Sequence, residues 1–172
     1  DPLWSRGLGD VYKRQAQRTN LSRTESQALI DGLFARFPRV KDYIESTKAQ
    51  ARATGYVTSL FGRRRAIPEI NIKGPRQQAA EREAINHPIQ ATAADIMKLA
   101  MLRVDAAITR YGNGSRLLLQ VHDELIVEAP DQHREAVATL LKTEMELAYP
   151  QLRVPLKVDV EAGTRWDALE SL

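Results

Sequence analysis

The chain has 172 residues, 43% hydrophobic and 27% charged, with a formal net charge of +3. That is the composition of a soluble globular protein of one or two domains. It contains no cysteine, which excludes disulfides, thiolate zinc sites and cysteine nucleophiles and fits a reducing compartment. No apolar run approaches the roughly 20 residues that span a bilayer, and the first residues lack the apolar core of a signal peptide.

Residues 1–15 follow no helical or strand period around Trp4, Gly7 and Gly9. They read as a leader foreign to the fold, left by cloning, assembly or a shifted frame; a genuine disordered terminus is the alternative. Ser22 followed by Glu25 is a capping-box signature, and Ile30, Leu33, Phe34 and Phe37 then recur at helical spacing. Pro38 suits the first turn of a second helix, whose apolar face is Val40, Tyr43, Ile44, Thr47 and Ala51 and which Gly55 ends. Residues 56–60 and 66–70 are β-prone and flank Phe61-Gly62-Arg63-Arg64-Arg65, a turn with a basic tip. A third helix is expected over 76–86, stopped or kinked by Pro88. A fourth is expected over 92–111, with an apolar stripe from Ala93 through Ile96, Met97, Ala100, Val104 and Ala107 to Ile108.

Two apolar runs, 116–121 and 124–129, flank His122-Asp123. Leu117, Leu119 and Val121 alternate with Leu118 and Gln120, which predicts a hairpin with one face better buried. Asp131 can cap a fifth helix that sets Val137, Leu140, Leu141, Met145 and Ala148 on one side. A last strand is expected over 155–161, followed by a tail holding Trp166. The arrangement is α+β: an antiparallel sheet of the hairpin and the 155–161 strand, backed by the helices at 92–111 and 132–148.

Three constellations carry chemistry. In Gln120-Val121-His122-Asp123-Glu124-Leu125, two carboxylates and a histidine sit at the reversal of a greasy hairpin. Tight reversals favour Asn-Gly or Asp-Gly, so the local rule is broken, as happens at functional sites. A carboxylate at such a tip suits a hard divalent cation such as Mg²⁺, which takes one or two carboxylates and keeps phosphate and water as further ligands; an exposed polar turn is the alternative. Arg82, Asn86 and Gln90 are spaced by four, a donor stripe fit for sequence-independent contact with phosphates, sugars and minor-groove acceptors, or a plain solvated face. The arginines of the 61–65 turn, Arg63 and Arg64 first, could meet phosphates or solvent. Charge is uneven in the same sense: residues 48–82 hold eight basic side chains and two acidic ones, whereas 121–172 hold five and eleven. A basic middle suits a polyanionic partner, and a solvated surface accounts for it equally well.

Ala79-Ala80-Glu81-Arg82-Glu83-Ala84-Ile85-Asn86-His87-Pro88-Ile89-Gln90, then Thr92-Ala93-Ala94-Asp95-Ile96-Met97-Lys98, then Leu119-Gln120-Val121-His122-Asp123-Glu124-Leu125, closely resemble bacterial DNA polymerases of the polymerase I type, family A. The likeness covers about 16–172, and the order of motifs fits as well. It implies that 16–90 is the back of the fingers and 91–172 the second part of an antiparallel palm sheet backed by helices, together an incomplete polymerase domain. It implies that Asp123 is one of two metal-binding aspartates, that Glu124 assists near the primer end, and that His122 lies by the primer terminus. Arg82, Asn86 and Gln90 match the stripe that contacts template and primer. Two Mg²⁺ ions, primer–template DNA and deoxynucleoside triphosphates are the implied cofactor and partners of the complete enzyme, a cytoplasmic, nucleoid-associated monomer with no membrane attachment. The family's usual glycine before Thr92 is Ala91 here, which is neutral or costs backbone clearance. The family's other metal aspartate and its nucleotide-binding helix precede the matched region, so the chain alone is expected to be inactive. A non-catalytic DNA-binding module and an Mg²⁺-dependent nuclease remain the competing readings.

Overall fold

The structure is a computed structural model and describes residues 22–172; the expected leader, 1–15, lies outside them. Its elements are α1 (Arg23–Arg36), α2 (Pro38–Thr54), β1 (Tyr56–Thr58), β2 (Arg64–Ala66), α3 (Pro75–Tyr111), β3 (Arg116–Val121), β4 (Glu124–Glu128), a 3₁₀ turn (Asp131–His133), α4 (Arg134–Glu146), β5 (Glu161–Ala162) and β6 (Glu170–Ser171). The chain divides into two compact units, the first ending at Thr92 and the second beginning at Ala93. No described helix is long and apolar enough to cross a membrane.

In the first unit the capping box is real. Ser22 Oγ accepts the Glu25 N–H at 3.2 Å, and Glu25 accepts the Ser22 N–H at 2.8 Å. The Ser22 hydroxyl also donates to the Glu25 carboxylate at 2.7 Å, and that bond first, the Ser22 N–H second, holds Glu25 below the ordinary carboxylate pKa. Gly55 ends α2 in the left-handed region at φ 77°, where glycine carries no Cβ penalty. Ala51, Val57, Ile67, Ile70, Ala80 and Ala84 form one buried cluster, so α2, the β1–β2 hairpin and the start of α3 share a core. Tyr43 donates to the Ile85 carbonyl at 2.8 Å beside it. Leu33 and Phe37, expected on the apolar face of α1, are exposed.

Pro88 does not stop the helix: α3 is continuous over 37 residues. Proline removes one ladder donor, but the flanking alanines are strong helix formers and Ala80, Ala84 and Ala91 are buried. Thr92 steadies the site. Its hydroxyl donates to the Pro88 carbonyl at 2.6 Å and accepts the Leu60 N–H at 2.9 Å. Packing thus outweighs the local breaker.

In the second unit, Met97, Ala100, Val104, Ala107 and Ile108 of α3 are buried as expected, with Val137 and Ala148. Arg103 pairs with Glu144 at 2.8 Å, tying α3 to α4. The β3–β4 hairpin forms as expected, with one difference of register. Leu117 pairs with Val127 and Leu119 with Ile126, leaving Leu118 as an extra residue. Such a bulge advances the pleat by one, so Leu117 shares a face with Gln120, and Leu119 shares the opposite face with Val121. Simple alternation had placed Leu117, Leu119 and Val121 together.

The expected single sheet is also corrected. The described strands form three separate two-stranded antiparallel sheets, β1–β2, β3–β4 and β5–β6. The 155–160 stretch is not in strand; only Glu161–Ala162 is, and it pairs with Glu170–Ser171. Pro155 lacks a ladder donor. The Val158 N–H is taken by the Glu146 carboxylate at 3.2 Å, and the Val160 carbonyl by the Leu172 N–H at 3.0 Å. Those groups are therefore committed to α4 and the tail. The fold class stands as α+β, helices with small antiparallel sheets.

Candidate functional site

The reversal between β3 and β4 departs from ordinary turn chemistry. Val121 pairs with Glu124, so His122 and Asp123 are the whole loop. Two-residue loops of this kind need positive φ, which glycine or asparagine normally supplies. Here His122 supplies it at φ 53°, the only non-glycine residue to do so among those described. Positive φ at the first loop position alone is the sign pattern of a type II′ turn. A side chain there costs on the order of 1–3 kcal/mol and persists only where something holds it. The Gln120 side-chain amide donates to the His122 carbonyl at 2.8 Å.

His122, Asp123 and Glu124 are all exposed. Among the described residues none of their side chains has an ion-pair or hydrogen-bond partner. No group of three histidine or acidic side chains gathers as a metal site among the described residues. The donor set at the tip is therefore a pair of adjacent, solvent-exposed carboxylates. It fits a hard divalent cation that draws the rest of its ligands from phosphate, water and a further carboxylate, and it is too small to cage one.

The polar stripe lies in the first unit. Because α3 runs unbroken through Pro88, Arg82, Asn86 and Gln90 belong to one helix, each about 40° around from the last. Asn86 and Gln90 are exposed and Arg82 is half-buried. The acids beside Arg82 are already committed: Glu81 to Arg52 at 2.5 Å and Lys48 at 3.8 Å, Glu83 to Arg65. Arg82 itself has no ion pair among the described residues, so its guanidinium keeps its five donors for an outside acceptor.

The basic tip is different. Gly62, at φ 80°, takes up the turn, and Ser59 Oγ accepts the Phe61 and Arg63 N–H groups at 3.3 and 3.2 Å. Arg64 stacks 4.8 Å above the Tyr56 ring, and Arg65 is paired to Glu83. Arg63 is exposed. Arg64 and Arg65 are thus held against the protein, which the sequence reading did not foresee for Arg64. Tyr56 carried the signal, a ring eight residues before an arginine across a short hairpin. The Gln120 contact was also missed; an amide inside an apolar strand was its signature.

A family model described as DNA polymerase family A matches residues 8–168, a span that starts within the stretch read as a leader. The DNA polymerase I of Chloroflexus aurantiacus is 50% identical over 157 residues, covering 91% of this chain and 17% of that protein. The thermostable DNA polymerase I of Thermus aquaticus is 45% identical, covering 96% and 21%. Among solved structures, the POL domain of Pol1 from M. smegmatis, in complex with DNA primer-template and dNTP, superposes with a TM-score of 0.76. It is 43% identical and covers 83% of this chain and 25% of that one. The chain spans about a fifth of the length of these curated relatives, and the family model matches most of it: it belongs to DNA polymerase family A.

Proposed function

We propose that the chain is the fingers-and-palm end of a DNA-directed DNA polymerase, with 16–90 completing the fingers and 91–172 the palm. The observation that supports this most is the β3–β4 tip: in a family A chain, a strained turn presents Asp123 and Glu124 with no partner among the described residues. Carboxylates that served only the fold would be paired or would sit on a relaxed turn.

In this reading Asp123 is a metal ligand, Glu124 an acidic neighbour at the primer end, and His122 a contact to the primer terminus. Two Mg²⁺ ions would activate the primer hydroxyl and offset the charge of the triphosphate leaving group. The chain's own part is to hold Asp123 toward them and to grip the duplex. Arg82, Asn86 and Gln90 donate to phosphates, sugars and minor-groove acceptors, which recur at similar places on every base pair, so the grip is independent of sequence. Arg63 adds charge at the fingers turn, whereas Arg64, laid on the Tyr56 ring, is held to the fold. Primer–template DNA and deoxynucleoside triphosphates are the partners of the complete enzyme, which acts as a cytoplasmic, nucleoid-associated monomer. A nuclease would need further carboxylates converging on the hairpin, and none does among the described residues.

Two cations need a second aspartate, and the incoming nucleotide needs a cationic helix. In this reading both come from sequence upstream of the matched region. Primer extension with Mg²⁺ and four nucleotides tests it. The 172-residue chain should give no product, and the chain joined to the preceding polymerase-domain sequence of the Chloroflexus relative should extend the primer. Template-dependent extension by the chain alone, or none by the joined protein, would overturn the assignment. Binding gives an independent check. Affinity should fall by about 0.9 log units per phosphate contact for each tenfold rise in salt, and Arg82→Ala should weaken all duplex sequences alike.

A further inference from the structure

The β3–β4 turn holds a contact that neither the ladder nor the proposed chemistry uses. Gln120 is the second-last residue of β3 and pairs with Leu125. Its Nε2 reaches past Val121 and donates to the His122 carbonyl at 2.8 Å. That carbonyl belongs to the peptide linking His122 to Asp123, within the loop. Fixing it fixes the plane of that peptide, whose other end is the Asp123 N–H, and so the direction in which Asp123 leaves the backbone. The same peptide follows the one non-glycine residue with positive φ among those described. A left-handed histidine is sparsely populated by itself, and a bond to its own carbonyl is a direct means of holding it.

We propose that Gln120 is a positioning residue: its side-chain amide latches the His122 carbonyl, keeps His122 left-handed, and thereby sets the direction in which Asp123 presents its carboxylate. The latch stands on the geometry alone; its consequence for a cation at Asp123 rests on the function proposed above. Gln120 touches neither substrate nor metal in this account and acts only through the turn.

The test uses the 172-residue chain and four variants: Gln120→Met, which keeps the length and removes the donor; Gln120→Glu, which replaces the donor with a carboxylate; and each of these combined with His122→Gly. Two signals are read by NMR, amide hydrogen exchange at Val121 and Glu124, and broadening of the Asp123 and Glu124 amides by Mn²⁺. Gln120→Met should lower exchange protection about fivefold, the effect of losing one ordinary hydrogen bond, and Gln120→Glu should lower it further. In the His122→Gly background both changes should shrink to within twofold, because glycine holds positive φ unaided. The Mn²⁺ concentration for half-broadening should rise at least threefold in Gln120→Met and return in the double variant. Equal losses of protection in the two backgrounds, or no loss in either, would overturn the latch. If Mn²⁺ fails to broaden Asp123 in the unaltered chain, the metal reading falls, while the exchange measurements still decide the latch. A merely structural Gln120 would move the exchange without moving the Mn²⁺ midpoint, and that too would contradict the proposal.

Discussion

Two of the described hairpins, β1–β2 and β3–β4, carry charge at or beside their tips, and they solve the same problem in opposite ways. At the β1–β2 tip a glycine at φ 80° takes up the reversal, Ser59 satisfies two loop N–H groups, Arg64 lies on Tyr56 and Arg65 is paired to Glu83. At the β3–β4 tip there is no glycine, His122 itself carries positive φ, and the Asp123 and Glu124 side chains have no partner among the described residues. One tip commits its charges to the fold; the other leaves them unused and carries a strained residue. Charge at a turn is therefore a poor marker of a site. Charge left unsatisfied on a turn the backbone resists is a better one, because the fold gains nothing from it.

The sharpest way to break the comparison is to alter the turns themselves. Gly62→Val should destabilise the chain by about 2 kcal/mol, because nothing crowds the site but its φ excludes a β-branched side chain. His122→Gly should go the other way, by up to about 1 kcal/mol, since relief of the left-handed cost is partly offset by glycine's entropy. Denaturant midpoints of the two variants check this. Effects of the same sign would mean that the two turns are alike.

A smaller effect is expected at Tyr43, beside the core that carries the first tip. Burial raises its phenol above the ordinary 10.0, opposed by the Thr47 contact, and its hydroxyl donates to Ile85. Tyr43→Phe should cost about 1 kcal/mol at neutral pH. A raised folded-state pKa means that this contribution is complete below about pH 10 and is lost as pH climbs through the folded value. The stability gap between the parent chain and the Tyr43→Phe variant should accordingly narrow above pH 10 and stay constant below it; unfolding curves from pH 7 to 11 measure it.

The least effect belongs to the Arg65–Glu83 pair. Both side chains are about half exposed, 52% and 40%, so Arg65→Ala should cost less than about 1 kcal/mol, and less still in high salt. A larger loss in a urea titration would give the first tip a structural weight that its exposure argues against.

How much of this was readable beforehand depended on whether the deciding interaction was local. The capping box at Ser22 and Glu25, the glycine stop at Gly55 and the hairpin about His122-Asp123 are written in neighbouring residues, and each formed where expected. Pro88 misled because its local veto was outweighed by buried alanines on both sides and by Thr92, which bridges to Leu60 from 32 residues away. The last strand misled for a related reason. The run at 155–161 is β-like, but whether such a run joins a ladder depends on which donors are free, and Val158 had already given its N–H to Glu146. The bulge at Leu118 has no composition signature, so the faces of β3 could not be assigned from alternation alone. At the site, Asp123 and Glu124 were legible as carboxylates out of place. The left-handed His122 was not, since it is a backbone fact, and the amide of Gln120 inside an apolar strand was a signal of its bond that did not name the acceptor.

The central claim, that the strained tip serves catalysis and the relaxed tip serves the fold, is tested most directly by primer extension with the chain joined to the preceding polymerase-domain sequence of its Chloroflexus relative. Asp123→Ala should lower the extension rate by about a thousandfold or more, on the scale of losing a group that stabilises transition-state charge, with primer–template affinity nearly unchanged. Arg64→Ala in the same protein should change the rate by less than about threefold. Comparable rates for the two variants, or an Asp123→Ala protein that still extends the primer at more than a tenth of the parent rate, would contradict it.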